Sequence, residues 1–519
     1  VPAEAEVLIR AASDIDRASV VRIATSRARV RLDDQLVDHV AVAWRACLDV
    51  LAAGAPVYGV TSGMGFKSDV RLDAEEQREH QASLLLGRAV GGPPYLDVED
   101  ARAIVVARLT NLLSGHAGVS PALCERLVAW LNDGYAPAVP AGGVGTAGEV
   151  QPLAHAFQAL MGVGWVLAPD GRVVTAADAL RERGVEPYAP GPKEGIALLA
   201  GAPAAAGMGA LAHARLTALS GSLELVAAAS LEVVGSPPGP FSAAAARLSG
   251  DPLLAEHLTR LRWWREQELD GRTGATEVRG GGADRTGGAG ERGGAAQAPV
   301  SFRVTPIVQT HLERSLGRFA QDVDTGLAAV TDSPAHVDGT LLSTAGFHAI
   351  DIAAGIDTVR AALVRNLELA VQRIHRLLDP RVTGLPAQLS PGAGGTGMVV
   401  VHKRAVAAAA EARRLAAPVT VGLYDTSLGQ EDAQTFTFEA FAALRRVEAL
   451  TAKVAGCELA CVLQAAWLDA AALPPRLAEA LEPARAATEP LMNDRPLGDD
   501  LERLVVLVVD GLGIRAGSA

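Results

Sequence analysis

The sequence predicts an all-α protein built on a central bundle of long helices. Apolar residues recur every three or four positions over several segments of roughly 20 residues or more. Alternating strand patterns are nearly absent. The composition is 49% hydrophobic but only 4% aromatic, so Ala, Leu and Val fill the core, and alanine at contact positions lets helix axes approach closely.

The N-terminal stretch carries acids where a signal peptide carries a basic end and an apolar run. "DVEDARAIVVARLTNLLSG" opens with acids and closes at Gly115, as a helix start and stop should. "VPAGGVGTAGEVQPLAHAFQALMG", from Val139 to Gly162, is a glycine-rich loop followed by a helix. Its glycines (Gly142, Gly143, Gly145, Gly148) permit a tight fold and close backbone approach. Further helices are expected near 205–235, 306–330, 351–378, 403–422 and 431–470. Residues 271–299 hold ten glycines and almost no large apolar side chain, a composition that predicts a disordered surface loop. The expected organisation is an N-terminal region over 1–200, the long-helix bundle over 201–470, and a helical tail over 471–519.

The formal charge of −12, with no basic stretch against it, excludes nucleic acid as a general partner. Four cysteines (Cys47, Cys124, Cys457, Cys461) in so long a chain fit a reducing compartment. Cys457 and Cys461 share a helix face, but no further Cys or His completes a metal spacing, so no metal is expected. No apolar segment is read as reaching the ~20 residues of a membrane span, and the expectation is a cytoplasmic protein without membrane contact.

Several short motifs, in order, resemble the aromatic amino acid ammonia-lyase and aminomutase family, which includes histidine and phenylalanine ammonia-lyases. They are "VYGVTSGMG" at 57–65, "LLLGRAVGG" at 84–92, the stretch beginning at Val139, "PKEGIALLAG" at 192–201, "SFRVTP" at 301–306, "AGFHA" at 345–349, "DPRVTGLP" at 379–386 and "GQED" at 429–432. The resemblance implies the all-α ammonia-lyase (fumarase/aspartase-like) fold, a homotetramer, and active sites that draw loops from more than one subunit.

In that family an Ala-Ser-Gly tripeptide cyclises into a methylidene-imidazolone electrophile. The tripeptide aligns here with Thr146, Ala147 and Gly148. Alanine has no hydroxyl to lose, so the expectation is that the methylidene-imidazolone is absent and that no cofactor is used. Other family positions differ too: Ala200, Gly346 and Gly429 stand for asparagines, and Val300 for a tyrosine.

The resemblance assigns the remaining roles. Tyr58 aligns with the catalytic base; a phenol titrates near ~10, so base work at neutral pH needs neighbouring positive charge or donors. Arg303 aligns with the carboxylate clamp, for which a guanidinium fork is suited, and Gln430 and Glu431 with the pair near the substrate amine. Gly59 and Phe347 belong to the same motifs as substrate-binding positions. Arg88 stands near the place where the substrate side chain is read. With Arg303 it suits an anionic substrate with two charged ends, or with one end on a carrier arm.

Each has a plainer reading. Tyr58 could be a packed turn residue, Arg303 a surface salt bridge, Glu431 an acid in the first turn of its helix, and Arg88 an interface residue paired with a neighbour's acid. His155 and His348 read as satisfied core histidines, and the role of Lys193 and Glu194 stays open. The leading expectation is a repurposed biosynthetic enzyme with Tyr58 in acid/base chemistry (elimination, addition, isomerisation or cyclisation) on a carboxylate-bearing small molecule. The alternatives are a non-catalytic binding protein, or an ammonia-lyase or 2,3-aminomutase altered at position 147.

Overall fold

The structure is a computed structural model and describes residues 6–26, 28–266, 297–392, 394–469 and 473–512. The loop expected over 271–299 lies outside the described residues except for its last three.

The described chain is predominantly helical, as expected. Helix Val98–Leu113 begins where the acids predict: the Asp97 carboxylate accepts the Asp100 N–H at 2.9 Å. Every residue from Asp100 to Leu113 is buried, and a helix buried all round must satisfy its polar side chains inside. Arg102 does so by donating to the carbonyls of Ile23, Ala24 and Leu131.

The long segments form the helices Pro203–Val233, Thr305–Ala328, Ile350–Leu377 and Thr437–Leu468. Two ends differ from expectation. The segment expected over 403–422 is helical over Val399–Arg414, and the one expected from 431 begins at Thr437. The chain between them is irregular, turning through Ser427, Leu428 and Gly429 at φ of 55°, 57° and 84°.

The membrane expectation needs correction on one point. Glu194–Val233 and Thr437–Leu468 are long and apolar enough to cross a membrane by length and composition. The apolar window of the first is wholly buried in the protein and that of the second 72% buried, as in core helices.

The chain divides into two compact units. The first comprises Val1–Ala214, Arg318–Asp357 and Pro418–Ala443; the second comprises Arg215–Gly317, Thr358–Ala417 and Leu444–Ala519. The first carries small sheets: Glu6–Ile9 parallel to Arg29–Leu32, an antiparallel trio around Trp165–Leu167, and the hairpin Ala335–Val337 with Thr340–Leu342. In the second, the buried Glu458 carboxylate accepts from Arg373 at 2.6 and 2.8 Å and from Ser230 at 2.6 Å, tying three helices together.

Candidate functional site

Within the first unit, a cavity of about 330 Å3 is lined by Tyr58, Met64, Ala147–Val150, Leu199–Gly201, Ser333, Ser343, Thr344, Phe347, Gln430 and Glu431. Five motifs far apart in the sequence therefore meet at one place. The Tyr58 loop is compact: Val57 N–H donates to Thr61 Oγ1 at 2.7 Å, and Gly65 N–H donates to the Tyr58 phenol oxygen at 3.0 Å. That last bond fills one acceptor position of the phenol and leaves its own proton free for transfer. Gly59 is required as glycine, since it has φ +68° and a Cβ there would lie 2.2 Å from Ile196 Cδ1.

The glycine-rich loop is held by carboxylates. Val144 N–H donates to Glu439 at 3.0 Å, Ala147 N–H to Glu431 at 3.4 Å, and Thr146 Oγ1 to the Gly148 carbonyl at 2.5 Å. Glu149 is 3% exposed and accepts the N–H groups of Ala204 and Ala205 at 2.6 Å each, in the first turn of Pro203–Val233. Burial pushes its carboxyl up to about 7, against the lowering effect of those two amides and of Arg108.

Arg108, wholly buried, donates to the carbonyls of Ala197 (2.8 Å) and Ala200 (2.5 Å) and so fixes the cavity wall. Burial pushes it down to about 10, opposed by Asp332 and Glu149. Lys193 also has its role here: its ammonium, at zero exposure, bonds Asp332 and the Ala117 carbonyl at 2.6 Å each. The Glu194 carboxylate is taken up by Ser120, Tyr188 and Gly191. Sequence reasoning missed Glu149, Arg108 and Glu439, whose roles depend on neighbours remote in the chain.

Among the predicted site residues, Tyr58, Phe347, Gln430, Glu431, Ala147 and Gly148 line the cavity. Gly59 stands behind Tyr58, and Thr146 braces the loop. Glu431 is not in a first turn, since its helix starts at Thr437. Arg88 is half-buried, with one hydrogen bond among the described residues, Nη1 to the Leu84 carbonyl at 3.3 Å. Burial pushes its guanidinium down, opposed by its electrostatic interaction with Tyr58 and Glu431. Arg303 closes the short helix Val300–Arg303 in the second unit and is not among the residues lining the cavity. Its Nε is buried without a hydrogen-bond partner among the described residues. His155 accepts Gly91 N–H at 2.8 Å, whereas His348 Nε2 is buried without such a bond, so only the first is the satisfied histidine expected. Among the described residues no group of His, Cys, Asp and Glu is arranged to hold a metal.

The sequence profile of the family described as "Aromatic amino acid lyase" matches residues 15–489. The chain belongs to the aromatic amino acid lyase family. It is 32% identical over 503 residues to a histidine ammonia-lyase of Symbiobacterium thermophilum, spanning 95% of this chain and 94% of that one. It is 29% identical over 519 residues to a protein of Streptomyces globisporus named "MIO-dependent tyrosine 2,3-aminomutase", spanning 95% and 92%. The crystal structure of tyrosine aminomutase from that organism superposes with a TM-score of 0.88 at 27% identity, covering 97% of each chain.

These relatives correct the expectation of no cofactor. An aminomutase spanning nearly the whole chain is named for its dependence on the methylidene-imidazolone, so membership of this lyase family points to that group and against its absence. The residues standing at its place here are Thr146, Ala147 and Gly148, and the Ala147 methyl does not fit the dehydrated serine that the resemblance describes.

Proposed function

We propose that this member of the lyase family is a biosynthetic enzyme acting on a small, carboxylate-bearing, amino-acid-like substrate, by elimination, addition or isomerisation. The observation that carries it is the meeting of Tyr58, Gln430 and Glu431 on one cavity, beside a half-buried Arg88 that interacts electrostatically with Tyr58 and Glu431. Tyr58 transfers the proton, with Gly65 N–H holding its oxygen in place. Gln430 and Glu431 take the ammonium end. Arg88 takes an anionic end, as a second charge on the substrate or on its carrier requires. No step here is routed through the Thr146-Ala147-Gly148 tripeptide.

Relatives spanning nearly the whole chain are named as acting on histidine and tyrosine, and that supports an amino-acid-like substrate. The exposed apolar side chains Phe66, Leu423, Tyr424 and Leu428 support a homotetramer that covers them, and the four free cysteines support a cytoplasmic location.

Incubation with His, Tyr and Phe, and with analogues carrying a second carboxylate, tests the reading. Released ammonia, unsaturated acid or β-amino acid is measured. Product is expected with the wild type and a loss of at least about 100-fold with Tyr58→Phe. Equal turnover by Tyr58→Phe, or tight binding of the same compounds without turnover, refutes it.

A further inference from the structure

We propose that Gln81 is the positioning residue for Tyr58, clamping the tyrosine loop to helix Glu194–Leu199. The inference rests on the reading of Tyr58 as the acid/base.

Gln81 lies on helix Ala74–Leu86 and is 1% exposed. Both ends of its carboxamide are used: Oε1 accepts Ile196 N–H at 3.2 Å, and Nε2 donates to the Gly59 carbonyl at 3.1 Å. A backbone N–H can only donate and a carbonyl can only accept, so the two partners admit one orientation of the amide. Gly59 directly follows Tyr58, so the bond acts one residue from the phenol-bearing Cα.

The surroundings leave little slack. A Cβ at Gly59 would lie 2.2 Å from Ile196 Cδ1, and one at Gly195 would lie 2.0 Å from the carbonyl oxygen of Gln81 itself. The Gly195 backbone thus lies directly on the Gln81 backbone, the Ile196 side chain fills the space against Gly59, and Gln81 is the polar link that sets the register of the three elements. Helix Glu194–Leu199 runs on into Leu199, Ala200 and Gly201, which line the same cavity as Tyr58. The clamp therefore sets the distance from the tyrosine to the opposite wall. Tyr58 is held at two points, through its backbone neighbour by Gln81 and at its oxygen by Gly65. A shift of about 1 Å in such a group is enough to cost on the order of 100-fold in rate.

The test uses the full-length protein labelled with 3-fluorotyrosine. The chain has five tyrosines, and Tyr58→Phe assigns the signal of interest. Gln81→Met removes both hydrogen bonds at similar volume. Gln81→Glu keeps an acceptor for Ile196 N–H but, when ionised, offers no donor to Gly59; when protonated it can donate again.

The Tyr58 fluorine signal is expected to shift and broaden in Gln81→Met while the other four stay in place. In Gln81→Glu the shift is expected where the acid is ionised, at alkaline pH, and to shrink as the acid protonates, which burial moves above the ordinary carboxyl range, a reversal that a merely structural role does not give. Turnover should fall roughly tenfold or more with KM nearly unchanged. An unmoved Tyr58 signal in both folded variants overturns the inference. Failure of both to fold also overturns it, because Gln81 would then support the whole unit rather than the tyrosine loop. A shifted signal in a protein without turnover leaves the clamp standing and refutes the acid/base reading of Tyr58 instead.

Discussion

Replacing Glu149 by Gln removes a carboxyl whose ionisation the fold resists. Burial raises it from 4.5 to about 7, although two amides and Arg108 favour the anion. A folded value above the unfolded one means that the folded chain keeps this proton longer as pH rises. The carboxyl then costs nothing below about pH 4.5, and its cost grows until pH passes about 7, where it levels off. The gap corresponds to about 3 kcal/mol. For a chain of 519 residues, the entropy of unfolding is on the order of 1 kcal/mol per degree, so about 3 kcal/mol is about 3 °C in Tm. Glutamine can accept only one of the two amides at Ala204 and Ala205, which subtracts a constant ~1 kcal/mol at every pH. Calorimetry of both proteins from about pH 5 to about pH 8 therefore has a differential signature. The variant should gain on the wild type by about 3 °C across that window, whatever the offset between them. Parallel Tm curves would mean that Glu149 ionises at its ordinary value despite its burial, and the electrostatic account of the cavity wall would be wrong.

Lys193→Met should destabilise by about 3–5 kcal/mol, because it strands the Asp332 carboxylate at zero exposure; the double variant Lys193→Met/Asp332→Leu should recover much of that in a denaturant series. Gly195→Ala should cost at least about 1–3 kcal/mol and lower soluble yield, since its Cβ meets the Gln81 carbonyl oxygen at 2.0 Å. His257 is wholly buried between Glu224 at 2.7 Å and Glu313 at 2.6 Å. Burial pushes it down, but the hydrogen bonds that its ring N–H groups donate to both carboxylates outweigh this and its value is raised above 6.5. Its contribution is therefore complete below pH 6.5 and lost as pH rises through the folded value. His257→Gln should flatten the fall in Tm above that pH, and a variant with the wild-type slope would refute the assignment.

The helices were legible because their signals are local. Asp97 before Val98 and Gly115 after Leu113 mark one helix within its own residues. The start of Thr437–Leu468 was misjudged because "GQED" carries the acids of a first turn, yet the backbone pairing of Thr426 with Glu431 claims that stretch for a turn. The cavity-lining motifs were legible through resemblance, Tyr58 and Glu431 above all. The clamps were not. Glu439 reaches back to Val144 and Arg108 reaches forward to Ala200, and neither pairing leaves a mark in the spacing of nearby residues. The apolar windows inside Glu194–Val233 and Thr437–Leu468 were missed for the opposite reason, as scattered polar residues break the visible run while the average stays high.

The first unit is discontinuous in the chain, and this bears on its synthesis. Its opening stretch ends at Ala214, but Phe347 and Glu431 arrive only with the stretches ending at Asp357 and Ala443. Roughly 230 residues separate the first of these ends from the last. At about 5–20 residues per second, a ribosome needs on the order of ten to fifty seconds to supply them. Throughout that interval the nascent chain carries Tyr58 and the glycine-rich loop without the wall they will face. Helix Val98–Leu113, buried on every side in the folded protein, waits with them. The emerging chain therefore leaves this unit incomplete until Ala443 clears the exit tunnel, and slowing translation between Ala214 and Ala443 should lower the yield of folded protein.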